Sequence, residues 1–261
     1  MFDSLSADDK AKFSAAKRAA GLVQSGMKVG LGTGSTAAWL VKHLGQKISD
    51  EGLRIQAVPT SSRTADLAQK VGIEIITLDE AGWLDLTIDG ADEFDADFSL
   101  IKGGGGALLQ EKIVAMASDR MIVIADSDKE VSQLGAFPLP VEVIPFGMNS
   151  TRISIERTLE VLGYLNAKIS TRMEGDRLFV TDEGNHILDL HMNAINDAKA
   201  LALGLNQLPG VVENGLFIEI CSSVIIGHSN GSVETRDLLN GVTENADMSA
   251  EGQNLFSDIE D

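Results

Sequence analysis

Short apolar runs and amphipathic runs alternate through the first half of the chain, and this alternation limits the possible folds more than any other feature. A repeated strand, helix, strand order requires a parallel sheet with helices on both faces, and such sheets bind ligands beyond the carboxyl ends of their strands. The sequence therefore predicts an α/β fold. The predicted strands are 28–31, 54–58, 73–77, 84–88 and 121–125; the predicted helices are one capped by Ser6 and ended by Gly26, then 37–44, 64–71 and 107–117.

Three prolines within ten residues, Pro138, Pro140 and Pro145, indicate a domain boundary. We predict a catalytic α/β domain over 1–137, completed by about 211–230, and a small α+β domain over 138–210. The apolar runs 215–220 and 223–226 are expected to return to the first sheet. The predicted elements of the small domain are helices 153–162 and 197–208 and strands 165–170, 177–180 and 187–190.

The C-terminal segment is acidic, with eight carboxylates and one base between Ser229 and Asp261. Because it has little apolar periodicity, we predict a flexible, solvated tail over 231–261. A partner-binding peptide is the alternative.

The composition narrows the classes of partner. A net charge of -18 would repel the phosphate backbone of nucleic acid and anionic lipid alike. The single cysteine, Cys221, cannot form an internal disulfide, and the sequence has neither a signal-peptide pattern nor an apolar run long enough to span a membrane. We therefore expect a soluble, cytoplasmic protein with no nucleic-acid or membrane partner.

The first strand leads into a glycine-rich turn, Gly30-Leu31-Gly32-Thr33-Gly34-Ser35-Thr36. It is a weak dinucleotide fingerprint, because no carboxylate follows the second strand, and the absence of a lysine after Gly34 excludes a nucleotide P-loop. The residues predict a small phosphate or polyol site formed by Thr33, Gly34, Ser35 and Thr36. A tight structural turn is the alternative. The hydroxyl-rich segment 59–64 after the second strand fits ordinary helix capping at least as well as ligand binding.

Carboxylates follow the fourth strand in the segment Asp89-Gly90-Ala91-Asp92-Glu93, with Asp95 and Asp97 beyond it. Their order lacks the glycine and distal glutamate of a calcium loop. Because Asp89 directly follows apolar residues, we expect a desolvated carboxylate suited to acid–base chemistry. A solvated acidic turn is the alternative.

Four consecutive glycines, 103–106, lie between an apolar strand and a helix. Since ordering glycine costs much backbone entropy, their presence indicates that bare backbone is required there. Lys102 supplies a cation, and Glu111 should lie in the first turns of the following helix, with no basic residue three or four positions away. Glu111 is therefore a general-base candidate, with a surface ion pair as the alternative.

Four segments closely resemble the A-type ribose-5-phosphate isomerases in their order and spacing. The segments are 32–36, 89–93, 102–111 and 141–145, and the resemblance covers roughly residues 8–228. The resemblance implies a Rossmann-like parallel-sheet domain with a second, smaller, ferredoxin-like α+β domain. It implies an aldose–ketose isomerase of the non-oxidative pentose phosphate pathway that interconverts D-ribose 5-phosphate and D-ribulose 5-phosphate without a metal or cofactor. It also suggests a homodimer.

The resemblance implies roles for individual residues. Glu111 would move a proton between C1 and C2 through an enediolate, Asp89 would assist ring opening and Asp92 would hold substrate hydroxyls. Lys102 and the glycine backbone would stabilise negative charge on oxygen. The residues expected to bind substrate are Thr33, Gly34, Ser35, Thr36, Asp89, Gly90, Ala91, Asp92, Lys102, Gly103, Gly104, Gly105, Lys129 and Lys12.

Two other classes share this general architecture. Coenzyme A transferases use a glutamate nucleophile, but paired aspartates fit sugar hydroxyls better than a thioester. A sugar-phosphate sensor would predict an attached helix-turn-helix, whereas only one helix precedes the first strand. The four histidines lie outside every motif and lack metal-ligand spacing, so we expect no metal.

Overall fold

The computed structural model describes residues 2–165, 167–238 and 241–249. They divide into two compact units. The first unit draws on Met1–Gly90, Ile113–Lys129 and Cys221–Asp261, and the second on Ala91–Lys112 and Glu130–Ile220. The sequence places residues 91–112, 130–137 and 211–220 in the first domain, whereas the structure groups them with the second unit.

The elements are numbered in chain order. The helices of the described residues are α1 (Ala7–Ala20), α2 (Ser35–Glu51), α3 (Ser62–Lys70), α4 (Leu78–Ala81), α5 (Leu108–Met116), α6 (Met148–Val161) and α7 (Ala198–Asn206). Their strands are β1 (Lys28–Leu31), β2 (Gln56–Pro59), β3 (Glu74–Ile75), β4 (Leu86–Asp89), β5 (Glu93–Phe94), β6 (Leu100–Ile101), β7 (Met121–Asp126), β8 (Leu139–Val143), β9 (Lys168–Thr171), β10 (Met173–Glu174), β11 (Arg177–Leu178), β12 (His186–His191), β13 (Val211–Asn214), β14 (Leu216–Phe217), β15 (Ser223–Gly227), β16 (Ser232–Asp237) and β17 (Val242–Asp247).

The first unit is built on one large sheet with the strand order β17-β16-β15-β7-β4-β1-β2-β3. The six strands from β15 to β3 pair in parallel, which confirms the predicted parallel sheet. Of the two runs expected to return to it, 223–226 does so as β15, whereas β14 pairs with β6 in a separate small sheet. Because β4 lies near the middle of the large sheet, the residue at its carboxyl end, Asp89, lies among neighbouring strand ends.

Helix α1 begins as its sequence predicts. The Ser6 side chain accepts a hydrogen bond from the Asp9 N–H at the N-terminus, and the alanine-rich face is buried against the sheet. Small side chains on this face let the helix approach the strands closely. Leu31, Ile88 and Ile124 supply the sheet side of the same core.

The C-terminal segment differs from the predicted flexible tail over residues 232–237 and 242–247. Strand β16 pairs antiparallel with β15, and β17 pairs antiparallel with β16. Period-two alternation places Val233 in the core, and an ion pair joins Arg18 to Glu244 at 2.9 Å. The two strands are thus an antiparallel edge of the large sheet, whereas residues 239, 240 and 250–261 of the predicted tail lie outside the described residues.

The second unit contains an antiparallel sheet with the order β13-β8-β12-β9 and a smaller sheet with the order β14-β6-β5. The proline-rich segment read as a domain boundary contains β8, which is an interior strand of this sheet. Pro140 needs no N–H there, and its carbonyl accepts a hydrogen bond from Gly215. An apolar cluster including Leu139, Val141 and Leu188 packs around the sheet.

None of the helices in the described residues is both long and apolar enough to cross a bilayer.

Candidate active site

In the first unit, the glycine-rich turn after β1 lies against the end of β4. Asp89 is fully buried, and its Oδ1 accepts hydrogen bonds from the Thr33 N–H at 3.0 Å and the Gly90 N–H at 2.7 Å. A Cβ at Gly32 would lie only 2.0 Å from the same oxygen. Glycine at position 32 is therefore required for the close approach of the Asp89 carboxylate.

The Thr33 side chain belongs to a buried cluster of hydroxyl groups. Its Oγ1 lies 2.8 Å from both Thr60 Oγ1 and Ser61 Oγ, and Thr64 Oγ1 donates to the Gly32 carbonyl at 3.0 Å. Ser61 also caps α3, which confirms the capping interpretation of segment 59–64. Sequence reasoning missed the link to Thr33; the available signal was a polar end on two strands that are neighbours in the sheet.

Gly34, Ser35 and Thr36 form the start of α2. Gly34 has a φ of 115° at the position before the helix, a backbone conformation that favours glycine, and the first N–H groups of α2 have no partner within the helix. A helix N-terminus of this kind can bind an anion. The adjoining cavity of about 440 Å³ is lined by residues that include Ser35, Lys42, Arg63 and Lys70.

In the second unit, Lys102 and Glu111 form a buried ion pair. Lys102 Nζ lies 3.2 Å from Glu111 Oε1, and the two side chains are 2% and 4% exposed. Lys102 directly follows β6, and Glu111 lies in the first turn of α5, as predicted. The Lys102 ammonium also lies 5.4 Å from the centre of the Phe217 ring. A carboxylate and an ammonium group are thus held together away from bulk water.

The four-glycine segment is a turn that uses its bare backbone. Gly103 and Gly106 have φ values of 99° and 83°, and the Gly106 N–H donates to the Gly103 carbonyl at 3.0 Å. The Gly104 N–H donates to Asp92 Oδ2 at 2.7 Å, and a Cβ at Gly104 would lie 2.4 Å from the other oxygen of that carboxylate. The turn therefore holds Asp92 as well as exposing backbone at Gly104 and Gly105.

The remaining predicted binding residues are more dispersed. Lys12 lies on α1 and forms an ion pair with Asp8 at 2.6 Å. Lys129 ends the short helical turn Ser127–Lys129 and is half-buried. Ala91 is half-buried at the start of the second unit. The roles of these residues in binding stay predictions.

Segment 141–145, which contributed to the resemblance, lies in and just after β8. Glu142 is buried, and its Oε1 accepts hydrogen bonds from the Thr181 hydroxyl and the Asn185 amide, each at 2.9 Å. Burial raises the pKa of Glu142 above its usual value, and the two hydrogen bonds partly oppose that shift. The carboxylate ties residues 181–185 to the centre of the sheet.

Lys112 follows Glu111 on α5 but pairs elsewhere, with Glu213 at 2.8 Å. Burial lowers the pKa of Lys112, and the Glu213 carboxylate opposes this shift. Within residues 2–165, 167–238 and 241–249, no group of three or more His, Cys, Asp and Glu side chains is arranged to hold a metal ion.

An α/β protein with a buried carboxylate–ammonium pair next to exposed glycine backbone has the groups of an enzyme that moves protons beside a developing oxyanion. The family model of ribose 5-phosphate isomerase A (phosphoriboisomerase A) matches residues 56–231. Ribose-5-phosphate isomerase A of Ruegeria pomeroyi is 64% identical over 262 residues, which span 100% of each chain. The chain belongs to the ribose 5-phosphate isomerase A family, aldose–ketose isomerases that interconvert ribose 5-phosphate and ribulose 5-phosphate.

Solved structures agree with this assignment. Ribose 5-phosphate isomerase A from Methanocaldococcus jannaschii is 42% identical, with a TM-score of 0.79, over 88% of this chain and 98% of that one. A D-ribose-5-phosphate isomerase in complex with phospho-erythronic acid is 38% identical, with a TM-score of 0.81, over 88% of this chain and 99% of that one. The comparisons confirm the predicted fold class and favour the isomerase over the transferase and sensor alternatives.

Proposed function

We propose that Glu111 is the general base of ribose 5-phosphate isomerisation in this chain. The observation that carries the proposal is the buried Lys102–Glu111 pair, 3.2 Å apart, next to a glycine turn. A base that acts next to a carbonyl needs a nearby cation or N–H donor, because negative charge develops on the carbonyl oxygen as the proton leaves.

The proposed reaction starts from the open-chain aldose. Glu111 removes the proton from C2, the C2–H electrons form the C1–C2 double bond, and the carbonyl oxygen on C1 takes up negative charge. The resulting enediolate is reprotonated on C1 by Glu111, while a proton moves from the C2 oxygen to the C1 oxygen. The product is the ketose, and the base returns to its starting state without a redox change.

The other proposed roles use groups with suitable chemistry. Asp89 would assist ring opening, and Asp92 keeps one carboxylate oxygen for a substrate hydroxyl while the other accepts from Gly104. Lys102 and the glycine backbone would stabilise the enediolate. We assign the phosphate to the α2 N-terminus at Ser35 and Thr36, with Lys12 and Lys129 as further cations.

Phospho-erythronic acid, which one relative binds, is a useful probe of this proposal. Its carboxylate places two coplanar oxygens beside a short polyol phosphate, as the enediolate intermediate does. We therefore expect it to bind this chain and to compete with ribose 5-phosphate.

The direct test replaces the base without changing its size. Glu111→Gln should lower kcat on the order of a hundredfold or more, the low end of what a general base contributes, while ribose 5-phosphate still binds. Glu213→Gln is the matched control, because Glu213 is also a lysine-paired carboxylate of the second unit, and it should retain near-wild-type turnover. Ketose formation is measured with and without EDTA.

The outcomes separate the alternatives. Near-wild-type turnover by Glu111→Gln would place the base elsewhere. Activity abolished by EDTA would contradict a metal-free mechanism, and binding of ribose 5-phosphate without ketose formation would favour a sensor.

We also propose that the chain is a cytoplasmic homodimer. In support of self-association, the second unit exposes the large apolar side chains of Phe146, Val161 and Leu165. A single cysteine suits a reducing compartment.

A further inference from the structure

Arg172, which follows β9, contacts the glycine turn of the second unit. Its Nη1 donates to the Gly103 carbonyl at 2.6 Å and to the Gly104 carbonyl at 3.1 Å. The opposite side of the guanidinium is held by Asp189 of β12, with Nε donating to Oδ2 at 3.0 Å and Nη2 donating to Oδ1. Both side chains of this pair are largely buried, at 14% and 15% exposure. Asp189 therefore fixes the plane of the guanidinium that holds the turn.

Two successive peptide groups are fixed by these contacts. The group that joins Gly103 to Gly104 is held at both ends, because its carbonyl accepts from Arg172 and its N–H donates to Asp92. In the next peptide group, which joins Gly104 to Gly105, the carbonyl accepts a hydrogen bond from Arg172. Since C=O and N–H point in opposite directions across a trans peptide, the Gly105 N–H points away from Arg172.

Gly104 and Gly105 are exposed, so this part of the turn is accessible to a ligand. Glycine also has the widest choice of backbone conformations, and a rotation of this one peptide group would present a carbonyl oxygen where the N–H now lies. A carbonyl oxygen would repel an oxyanion, whereas the N–H stabilises it. The orientation of this peptide group therefore matters for any reaction that develops negative charge beside the turn.

We propose that Arg172 is a positioning residue that holds the Gly104–Gly105 peptide so that the Gly105 N–H donates to the oxyanion of the enediolate. The proposal rests on the proposed function, since it assumes that the intermediate forms beside this turn. Arg172 does not contact substrate in this proposal; its effect is transmitted through the two glycine carbonyls.

The test compares two arginines of the same unit. Arg172→Met removes the contact with the glycine turn. Arg152→Met is the control, because Arg152 is also partly buried and donates to the Ile169 carbonyl at 2.8 Å and to the Thr171 hydroxyl, but not to the turn. The measurements are kcat and KM for ribose 5-phosphate, the dissociation constant of phospho-erythronic acid, and the melting temperature.

We expect Arg172→Met to lower kcat about tenfold to a hundredfold, up to the loss seen when one oxyanion donor is removed. KM should change less than about threefold, since ground-state contacts remain, and phospho-erythronic acid should bind more weakly by a factor similar to that in kcat. Arg152→Met should show a similar change in melting temperature with near-wild-type kcat. A merely structural role for Arg172 predicts instead that both variants change kcat and probe affinity alike, and that result would overturn the proposal.

A second variant covers the case in which Arg172→Met does not fold. Asp189→Asn keeps the arginine but loosens its orientation, and we expect a smaller loss of kcat with an unchanged KM. Wild-type kcat in Asp189→Asn, with Arg172→Met unfolded, would also overturn the proposal.

Glu111→Gln, measured in parallel, separates the two proposals. If it keeps wild-type turnover, the proposed function fails whatever Arg172→Met does. If it is inactive while Arg172→Met is folded and keeps wild-type kcat and probe affinity, only the positioning role fails.

Discussion

His43, on α2, is an imidazole whose surroundings oppose protonation. It is only 6% exposed, and its ring centre lies 4.6 Å from that of Phe13. The pKa of His43 is lowered from 6.5 to about 4: burial is the main cause, the Lys17 ammonium adds to it, and a hydrogen bond to the Phe13 backbone opposes it. The unfolded chain, with an ordinary histidine, binds this proton more readily than the folded one.

A pH dependence of stability follows from this difference. Between pH 6.5 and about pH 4, the unfolded state binds a proton that the folded state excludes. His43 therefore costs no stability above pH 6.5, and it lowers the free energy of unfolding as the pH falls below that value. Over that interval, this effect lowers the free energy of unfolding by on the order of 3 kcal/mol. His43→Gln should reduce the fall in the free energy of unfolding between about pH 7.5 and pH 4.5, measured by urea titration.

His228→Gln is the control for this measurement, because His228 is half-buried and remains accessible to water. The effect of His43→Gln is judged against that of this variant. An unchanged pH dependence in His43→Gln would show that His43 is not the group responsible.

At the same scale, the sequence could predict the chemistry that is local in the chain. Lys102, the glycines and Glu111 lie within ten residues, and a strand, a turn and a helix start are enough to bring them together. The contact between Arg172 and Gly103 joins residues 69 positions apart. Nothing local in the sequence indicates it, because it depends on how β12 places Asp189 beside the turn.

Among the elements, the C-terminal hairpin of β16 and β17 shows how an acidic composition can hide a strand. The alternation that places Val233 in the core leaves Glu234 and Arg236 on the opposite face, where Arg236 Nε lies 2.7 Å from Glu234 Oε1. Because β16 pairs with β15 on one side and β17 on the other, these charges lie on the face of the sheet opposite the core and not on an unpaired edge. In the sequence, this strand shows only as a two-residue alternation with one buried residue, Val233. That pattern is too weak to predict a strand in so acidic a segment.

The hairpin makes a prediction about stability. Val233 is 1% exposed within the core of the first unit, so Val233→Ala should lower the free energy of unfolding by about 2 kcal/mol through lost burial and a new cavity. Leu238, just beyond the same strand, is 52% exposed, and Leu238→Ala should change it little. Equal effects in urea titrations of the two variants would mean that β16 does not pack against the core in solution.

In the proline-rich segment 138–145, the sequence predicted a domain boundary where the structure has strand β8. Three prolines in ten residues usually interrupt regular structure, yet β8 runs through Pro140. A proline can lie in a strand where its missing N–H is not needed, and here its carbonyl is the group that pairs. Sequence patterns thus predicted the parallel sheet, whose buried strands are short apolar runs, better than strand β8, whose prolines are typical of a break in regular structure.

For the whole molecule, the distribution of the -18 net charge matters more than its sum. Two C-terminal carboxylates are partly neutralised within the first unit, since Glu244 pairs with Arg18 and Asp237 lies 3.3 Å from Arg120. Exposed pairs of this kind contribute little stability, but they remove local repulsion. An anionic substrate therefore depends on nearby lysines and N–H groups, because salt screens more distant carboxylates over about 8 Å.

The same charge predicts how the proposed homodimer responds to salt. Two copies, each with a charge of -18, repel each other, and apolar contact at residues such as Val161, which is 86% exposed on α6, would have to overcome that repulsion. Raising the ionic strength should therefore strengthen the dimer, on the order of tenfold in dissociation constant between roughly 20 and 300 mM NaCl.

Light scattering and sedimentation across a dilution series should give twice the chain mass of 27.7 kDa at high salt. Val161→Asp should weaken association, whereas Leu238→Asp, a matched change in the first unit, should not. A mass of 27.7 kDa under all conditions would contradict the dimer, and a dimer that weakens with salt would mean that ion pairs, not apolar contacts, hold it together.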